Sequence, residues 1–292
     1  MKQHLQQKPL LWALIEIARL DKPIGIYLLL WPTLWAVWIA GNGSPMFSTV
    51  LIFSLGVIIM RSAGCVINDY ADRHVDGHVE RTRHRPLANG RISEKQALVF
   101  FAALCAFAFV LVLFTNLMTI AMSLGGLLLA AIYPFMKRYT YLPQVVLGAA
   151  FSWAIPMAFT AEQQDLPKVV WLLYIANLSW TVAYDTLYAM VDRDDDLHIG
   201  VKSTAILFGD MDKVIVGILQ GITLLALLFA GQQLQFGWPF YVSLLVGAGL
   251  FAYHQWLVRG REKHACFKAF LHNHWFGAVI FCGILGHYLL KN

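Results

Sequence analysis

The stretch "VLIFSLGVIIMRSAGCVINDYADRHVDGHVERTRHRP", residues 50–86, changes character halfway along. Residues 50–60 contain only apolar and small side chains. Residues 68–86 carry four acids, four arginines and three histidines. An apolar run that ends in such a block reads as a helix leaving lipid at a face where charge has a use. A second block, "YDTLYAMVDRDDDLHIGVKST" at 184–204, follows another apolar run in the same way. Together 68–80 and 185–196 hold nine of the 17 acids in the chain.

The rest of the sequence supports a membrane reading. The 292 residues are 59% hydrophobic and 13% charged, with mean hydropathy +0.60. Soluble chains carry about 25% charged residues. The net charge of +5 is explained by topology, so a nucleic-acid partner is not needed. The segment 10–25 is amphipathic and reads as an interfacial helix within a cytoplasmic N-terminal segment, 1–23. Nine spanning segments follow, at about 24–41, 46–67, 94–114, 117–135, 142–160, 168–190, 211–230, 237–257 and 266–290. No linker or second domain interrupts them, so residues 1–292 read as one domain.

Charge sets the orientation. With the N-terminus inside, 20 of the 22 Lys and Arg residues fall in cytoplasmic segments, and only Lys168 and Lys291 lie outside. This follows the positive-inside rule. Both acidic blocks then face the cytoplasm, and the C-terminus faces outward. Helices 2–3 and 6–7 are joined by similar charged loops about 120 residues apart, a weak internal repeat.

Spacing within the blocks points to a metal. Asn68, Asp72 and Asp76 recur every four residues, with Glu80 one turn on, so a continuous helix would put them on one face. Asp185, Tyr188, Asp192 and Asp196 recur at three, four and four; Asp194 and Asp195 fall off that face. Crowded carboxylates repel and take up protons unless a cation intervenes. Their oxygens are hard ligands, suited to Mg²⁺ or Mn²⁺, and Mg²⁺ commonly completes its shell with substrate phosphate. Arg73, Lys137, Arg138 and Lys202 lie on the same side, as a bound diphosphate would require.

Other features read as structure. Cys65, Cys105, Cys266 and Cys282 are scattered and form no zinc or disulfide pattern. His74 and His78 in the charged loop read as solvated, and "HNH" at 272–274 as polar residues on a helix. The aromatic residues read as interfacial anchors, as packing, or as lining for an apolar chain.

With these residues in view, "NDYADRHVDGHVERTRHRPL" (68–87) resembles the N-D-x-x-D-x-x-x-D motif of the UbiA superfamily of intramembrane prenyltransferases. "DTLYAMVDRDDD" (185–196) resembles the second aspartate motif, and "YPFMK" (133–137) matches its Y-x-x-x-K element. The resemblance spans the whole chain, and is strongest to the branch that uses 4-hydroxybenzoate in ubiquinone synthesis. It implies an all-α, nine-helix bundle with a central cavity open to the cytoplasm and sideways to lipid. It also implies transfer of a polyprenyl group, octaprenyl in this branch, from its diphosphate to the ring carbon ortho to the hydroxyl of 4-hydroxybenzoate. On that pattern Asp72 and Asp76, assisted by Asn68, hold one Mg²⁺, and Asp192 and Asp196 a second. Lys137, Arg138 and Lys202, with Arg73, bind the diphosphate. Tyr133 and Tyr188 order the site, and Asp185 or a phosphate oxygen takes the ring proton. Arg61 and Lys22 are candidate partners for the acceptor's carboxylate, or ordinary interfacial anchors. Besides the bilayer and two substrates, no obligate protein partner is called for.

Three rival readings are testable. A cation-coupled transporter would place its acids near the membrane midplane. A CDP-alcohol phosphotransferase would carry a D-G-x-x-A-R signature, which the sequence lacks. A sister prenyltransferase would differ only in its acceptor, such as haem or a naphthoate.

Overall fold

A computed structural model describes residues 10–74, 76–78 and 82–291. Glu80 and residues 1–9, with Lys2 and Lys8, lie outside the described residues. Every regular element among those described is helical. In order these are α1 (Leu10–Ile17), α2 (Ile24–Ala40), α3 (Phe47–Asp72), α4 (Glu94–Val112), α5 (Leu117–Tyr139), α6 (Pro143–Ser152), α7 (Ala154–Gln163), α8 (Val169–Ile199), α9 (Thr204–Phe208), α10 (Asp212–Gln233), α11 (Trp238–Leu257) and α12 (Lys263–Lys291). Among the described residues seven helical segments are long and apolar enough to cross a membrane, counting α6–α7 as one and α9–α10 as one.

Local chemistry fixes the ends. Ser93 and Gln96 form a capping box that starts α4. Asn116 accepts the Thr119 backbone N–H at 2.9 Å to start α5. Gly200 ends α8 in the left-handed region at φ +72°, where glycine has no Cβ to clash. The α6–α7 break falls at Trp153, whose Nε1 donates to the Met122 carbonyl at 2.7 Å. A Cβ at Gly125 or Gly126 would come within 3.0 Å of that indole, so these two glycines let α5 approach it.

The core is built on α2, α8 and α12. Trp35 and Trp180 stack there with centroids 5.7 Å apart, next to Phe276. Their indole N–H groups are both used: Trp35 donates to the Gly277 carbonyl and Trp180 to Asn273 Oδ1, each at 2.9 Å. Interhelical hydrogen bonds of this kind hold helices together where lipid offers no competing water. Asn273 is therefore a buried acceptor, in keeping with the reading of "HNH" as helix-borne polar residues. By contrast α4 and α5 are largely unburied and turn apolar side chains such as Val99, Phe107, Leu117 and Leu128 outward. The short α1 docks Ala13 and Ile17 against Val66, Leu87 and Ile92, which seats it over the ends of α3 and α4.

Candidate active site

Two cavities meet inside the bundle. The larger encloses about 1120 Å³ between α2, α3, α4, α5, α7 and α8. Its walls are mainly apolar, with Leu28, Phe53, Phe109, Leu127 and Met157 among them. The smaller, about 160 Å³, is polar and is lined by Asn68, Asp72, Asp76, Lys137, Asp192, Asp196 and Lys202. Asn68, Arg85, Tyr133, Asp185 and Tyr188 line both, so they form the doorway between the acidic pocket and the apolar cavity.

The two acidic motifs reach the pocket differently. α3 ends at Asp72, and Asp76 opens a single 3-10 turn, Asp76–His78. The continuous helical face expected through Asp76 is thus broken. Asp72 and Asp76 still face one pocket, because the chain turns back after Arg73. Arg85 holds that turn, reaching Asp76 Oδ2 at 2.8 Å and Asp69 Oδ1 at 3.1 Å. Asp69 is 1% exposed and also takes Arg19 at 2.9 Å. Thr82 adds a bond to the Asp76 carbonyl at 2.8 Å. In the second motif α8 runs unbroken to Ile199, so Asp185, Tyr188, Asp192 and Asp196 share the face their spacing predicts.

Charge is unevenly matched around the pocket. Burial pushes the Asp76 carboxyl above the ordinary carboxylate range, against the opposing pull of Arg85, and neighbouring Asp72 and Asp69 push the same way. Arg85 is held more firmly protonated than usual: burial disfavours its charge, but Asp69 and Asp76 outweigh it. Lys137 is paired with Asp72, whose Oδ2 also accepts from Asn68 at 3.3 Å. Lys202 Nζ lies 3.4 Å from the Tyr139 carbonyl, and its backbone N–H donates to the Lys137 carbonyl at 3.0 Å.

Two expected diphosphate ligands turn elsewhere. Arg138 donates to the Ala71 carbonyl at 2.5 Å, and Arg73 pairs with Glu94 at 3.0 Å while lying over the Tyr70 ring. Neither lines the small pocket. Arg61 faces the large cavity from α3 and gives Nη1 to Cys65 Sγ at 2.7 Å. Its shielded Nε has no hydrogen-bond partner. A Cβ on Gly25 would sit 2.3 Å from that nitrogen, so glycine at 25 makes room for the guanidinium.

The UbiA prenyltransferase family profile matches residues 29–277, most of the chain. The chain belongs to the UbiA prenyltransferase family. It is 65% identical over 283 residues to the 4-hydroxybenzoate octaprenyltransferase of Pseudomonas savastanoi pv. phaseolicola, covering 97% of this chain and 96% of that one. In fold it is similar to an apo UbiA homolog from Aeropyrum pernix K1, with TM-score 0.79 and 22% identity, over 89% of this chain and 97% of the other. It is also similar to a UbiA homolog from Archaeoglobus fulgidus bound to GPP and Mg²⁺, with TM-score 0.68 and 17% identity, over 93% and 99%.

The UbiA member described here has a donor set that fits a hard divalent ion. Carboxylate and amide oxygens face the small pocket from both motifs, and no soft ligand does. Among the described residues no three His, Cys, Asp or Glu side chains gather closely enough to cage an ion alone. That suits Mg²⁺, which takes one or two carboxylates and leaves the rest of its shell to water and phosphate. Sequence reasoning missed Arg85 and Asp69. Arg85 sits in a non-helical loop with no periodicity to mark it. Asp69 carries a signal in hindsight: one residue from Asn68, it must point away from the Asn68–Asp72 face.

Proposed function

We propose that this chain transfers an octaprenyl group from its diphosphate to the carbon ortho to the hydroxyl of 4-hydroxybenzoate, releasing diphosphate, in ubiquinone biosynthesis. The close relative of that name supports the chemistry. The observation that carries it here is the doorway: an acid- and lysine-lined pocket opens onto a large apolar cavity through Asn68, Tyr133, Asp185 and Tyr188. A charged head and a long hydrocarbon tail need that pairing. We read the chain as one domain, 1–292, in a bacterial inner membrane. In this reading α2 and α8 are crossings eight and nine; α2, with 17 residues, spans about 26 Å of a hydrocarbon core about 30 Å thick. The cavity opens to the cytoplasm, and the C-terminus is periplasmic. Lys and Arg distribution supports that orientation.

Asn68, Asp72 and Asp76 would hold one Mg²⁺, and Asp192 and Asp196 another; that the Archaeoglobus homolog binds GPP and Mg²⁺ supports a divalent ion beside a prenyl diphosphate. Bound there, the ions would neutralise the diphosphate and make it a better leaving group. Lys137 and Lys202 add positive charge to the same pocket. Arg138 and Arg73 reach the diphosphate only by leaving the Ala71 carbonyl and Glu94. The allylic C–O bond loosens into a cation-like species, and the apolar cavity keeps water from it. Arg61, on the wall of the large cavity, anchors the acceptor carboxylate and aims the ring at the doorway. Lys22 stands further out on the same cavity wall. The phenol oxygen feeds the ring, the ortho carbon attacks, and Asp185 or a phosphate oxygen takes the displaced proton. Tyr133 and Tyr188 hold the doorway; Tyr188 packs on Phe270 at 4.7 Å between centroids.

The test is an acceptor panel with purified protein, Mg²⁺ and a prenyl diphosphate. 4-Hydroxybenzoate should be prenylated ortho to its hydroxyl, and benzoate should inhibit without reacting. If a naphthoate or haem is prenylated instead, the acceptor assignment is wrong.

A further inference from the structure

The cytoplasmic end of α8 is a lever. It carries Asp192 and Asp196 beyond the last buried residues of that helix, Ala189 and Met190. Arg193, next to Asp192, turns away from the acidic pocket and pairs with Asp212. Asp212 opens α10 and is 0% exposed. Its Oδ1 and Oδ2 also accept from Arg261 Nε at 3.0 and 3.1 Å. Arg261 stands between α11 and α12 at φ +56°, and its Nη2 donates to the Asp210 carbonyl at 2.6 Å. One buried carboxylate thus ties α8, α10 and the α11–α12 connection together, and none of the three side chains lines either cavity.

We propose that Asp212, Arg193 and Arg261 form a clamp that positions Asp192 and Asp196 for the metal–diphosphate head. This rests on the reading of those two aspartates as metal ligands. Taking a carboxylate out of water costs free energy that a hydrophobic contact of the same size does not, so a buried ionic tie is weak evidence for stability alone. What it supplies is direction. Successive residues on a helix are about 100° apart. Holding Arg193 against Asp212 therefore sets the azimuth of both Asp192, about 100° round the helix, and Asp196, about 60° round on the same side. Groups that orient metal ligands from behind typically change metal affinity by about 10–100-fold when lost.

The test uses the full chain in detergent and two readouts. One is the Mg²⁺ concentration that gives half-maximal turnover. The other is the thermal shift produced by Mg²⁺ with inorganic pyrophosphate, which needs no turnover. Arg193→Met should raise the first about tenfold and shrink the second, leaving KM for 4-hydroxybenzoate unchanged. Arg193→Lys, which restores a charge facing Asp212, should recover most of both. Arg261→Met gives the same measurement if Arg193→Met does not insert. A lowered Tm with both readouts unchanged would make the triad a fold clamp only and overturn the proposal. Asp192→Asn is the control: if it too leaves Mg²⁺ half-saturation unchanged, the metal-ligand reading has failed and not the clamp.

Discussion

The first and second aspartate motifs have the same spacing and are built in opposite ways. Asp192 and Asp196 ride on one unbroken helix, so their spacing turns both to one face, and the Arg193–Asp212 pair lies behind that face. Asp72 is the last residue of α3, and Asp76 lies past the break on a 3-10 turn. Its direction is set by Arg85, which bridges it to the buried Asp69 and through Asp69 to Arg19. A period of four means a shared face only where the helix continues. Where it stops, charge pairs from distant loops must do what the helix did. The two halves should therefore fail differently when disturbed.

The largest effect should come from the carboxylates themselves. Asp72→Asn, Asp76→Asn, Asp192→Asn and Asp196→Asn should each cut turnover about 100-fold or more, the scale of losing a preorganised electrostatic contact to the reacting group. Chelation by EDTA should do the same to the unmodified protein, and Mg²⁺ should reverse it. Near-normal turnover of any two variants at limiting Mg²⁺ would remove the two-motif assignment.

Arg85→Met should come next and should strike the first motif alone. Arg85 is 15% exposed, and among the described residues its loss leaves Asp76 without an ion-pair partner and Asp69 with Arg19. Breaking a buried pair from one side costs about 3–5 kcal/mol, and the surviving Arg19 contact places this case at the lower end. Both Tm and Mg²⁺ affinity should fall. Loss of Tm with unaltered Mg²⁺ half-saturation would show that Asp76 is held in place without Arg85.

Gly200→Ala probes the second motif at its weakest point. Gly200 closes α8 at φ +72° with open space around it, so the only cost is the left-handed backbone, about 1 kcal/mol. The last turn, which bears Asp196, should loosen, and Mg²⁺ half-saturation should rise a few-fold. An equal effect on a variant already lacking Asp196 would place the damage elsewhere.

These contrasts mark how far the sequence could be read. Apolar runs gave most helix ends to within about five residues, because burial in lipid leaves the backbone no alternative; α8 runs nine residues past the expected end at 190, into its charged stretch. α8 followed its period. The α6–α7 break at Trp153 was missed although Pro156 marks it, since proline has no N–H to give the Ser152 carbonyl four residues back. Asp69, Arg85, Arg193 and Asp212 stayed hidden because their meaning lies in partners 9 to 50 residues away: a basic residue in a loop looks solvated until its partner is known. Arg73 and Arg138, expected at the diphosphate, show the converse, since a cation beside a motif can be spent on a neighbouring carbonyl or carboxylate.

The smallest effect separates azimuth from mere proximity. Asp194 lies midway between Asp192 and Asp196 in sequence but off their face, 3.0 Å from Lys263, with side chains 66% and 54% exposed. Exposed pairs of this kind contribute about 0.2–1 kcal/mol and are screened by salt. Asp194→Asn should thus leave turnover and Mg²⁺ half-saturation within about twofold of the unmodified protein, while Asp196→Asn, two residues on, removes activity. If charge density near the diphosphate were what mattered, the two variants would weaken Mg²⁺ binding alike, because both delete one negative charge from the same turn of α8. A helix that presents ligands by rotation predicts the opposite. Equal loss in both variants would mean that α8 does not hold the azimuth seen here, and the contrast with the first motif would go with it.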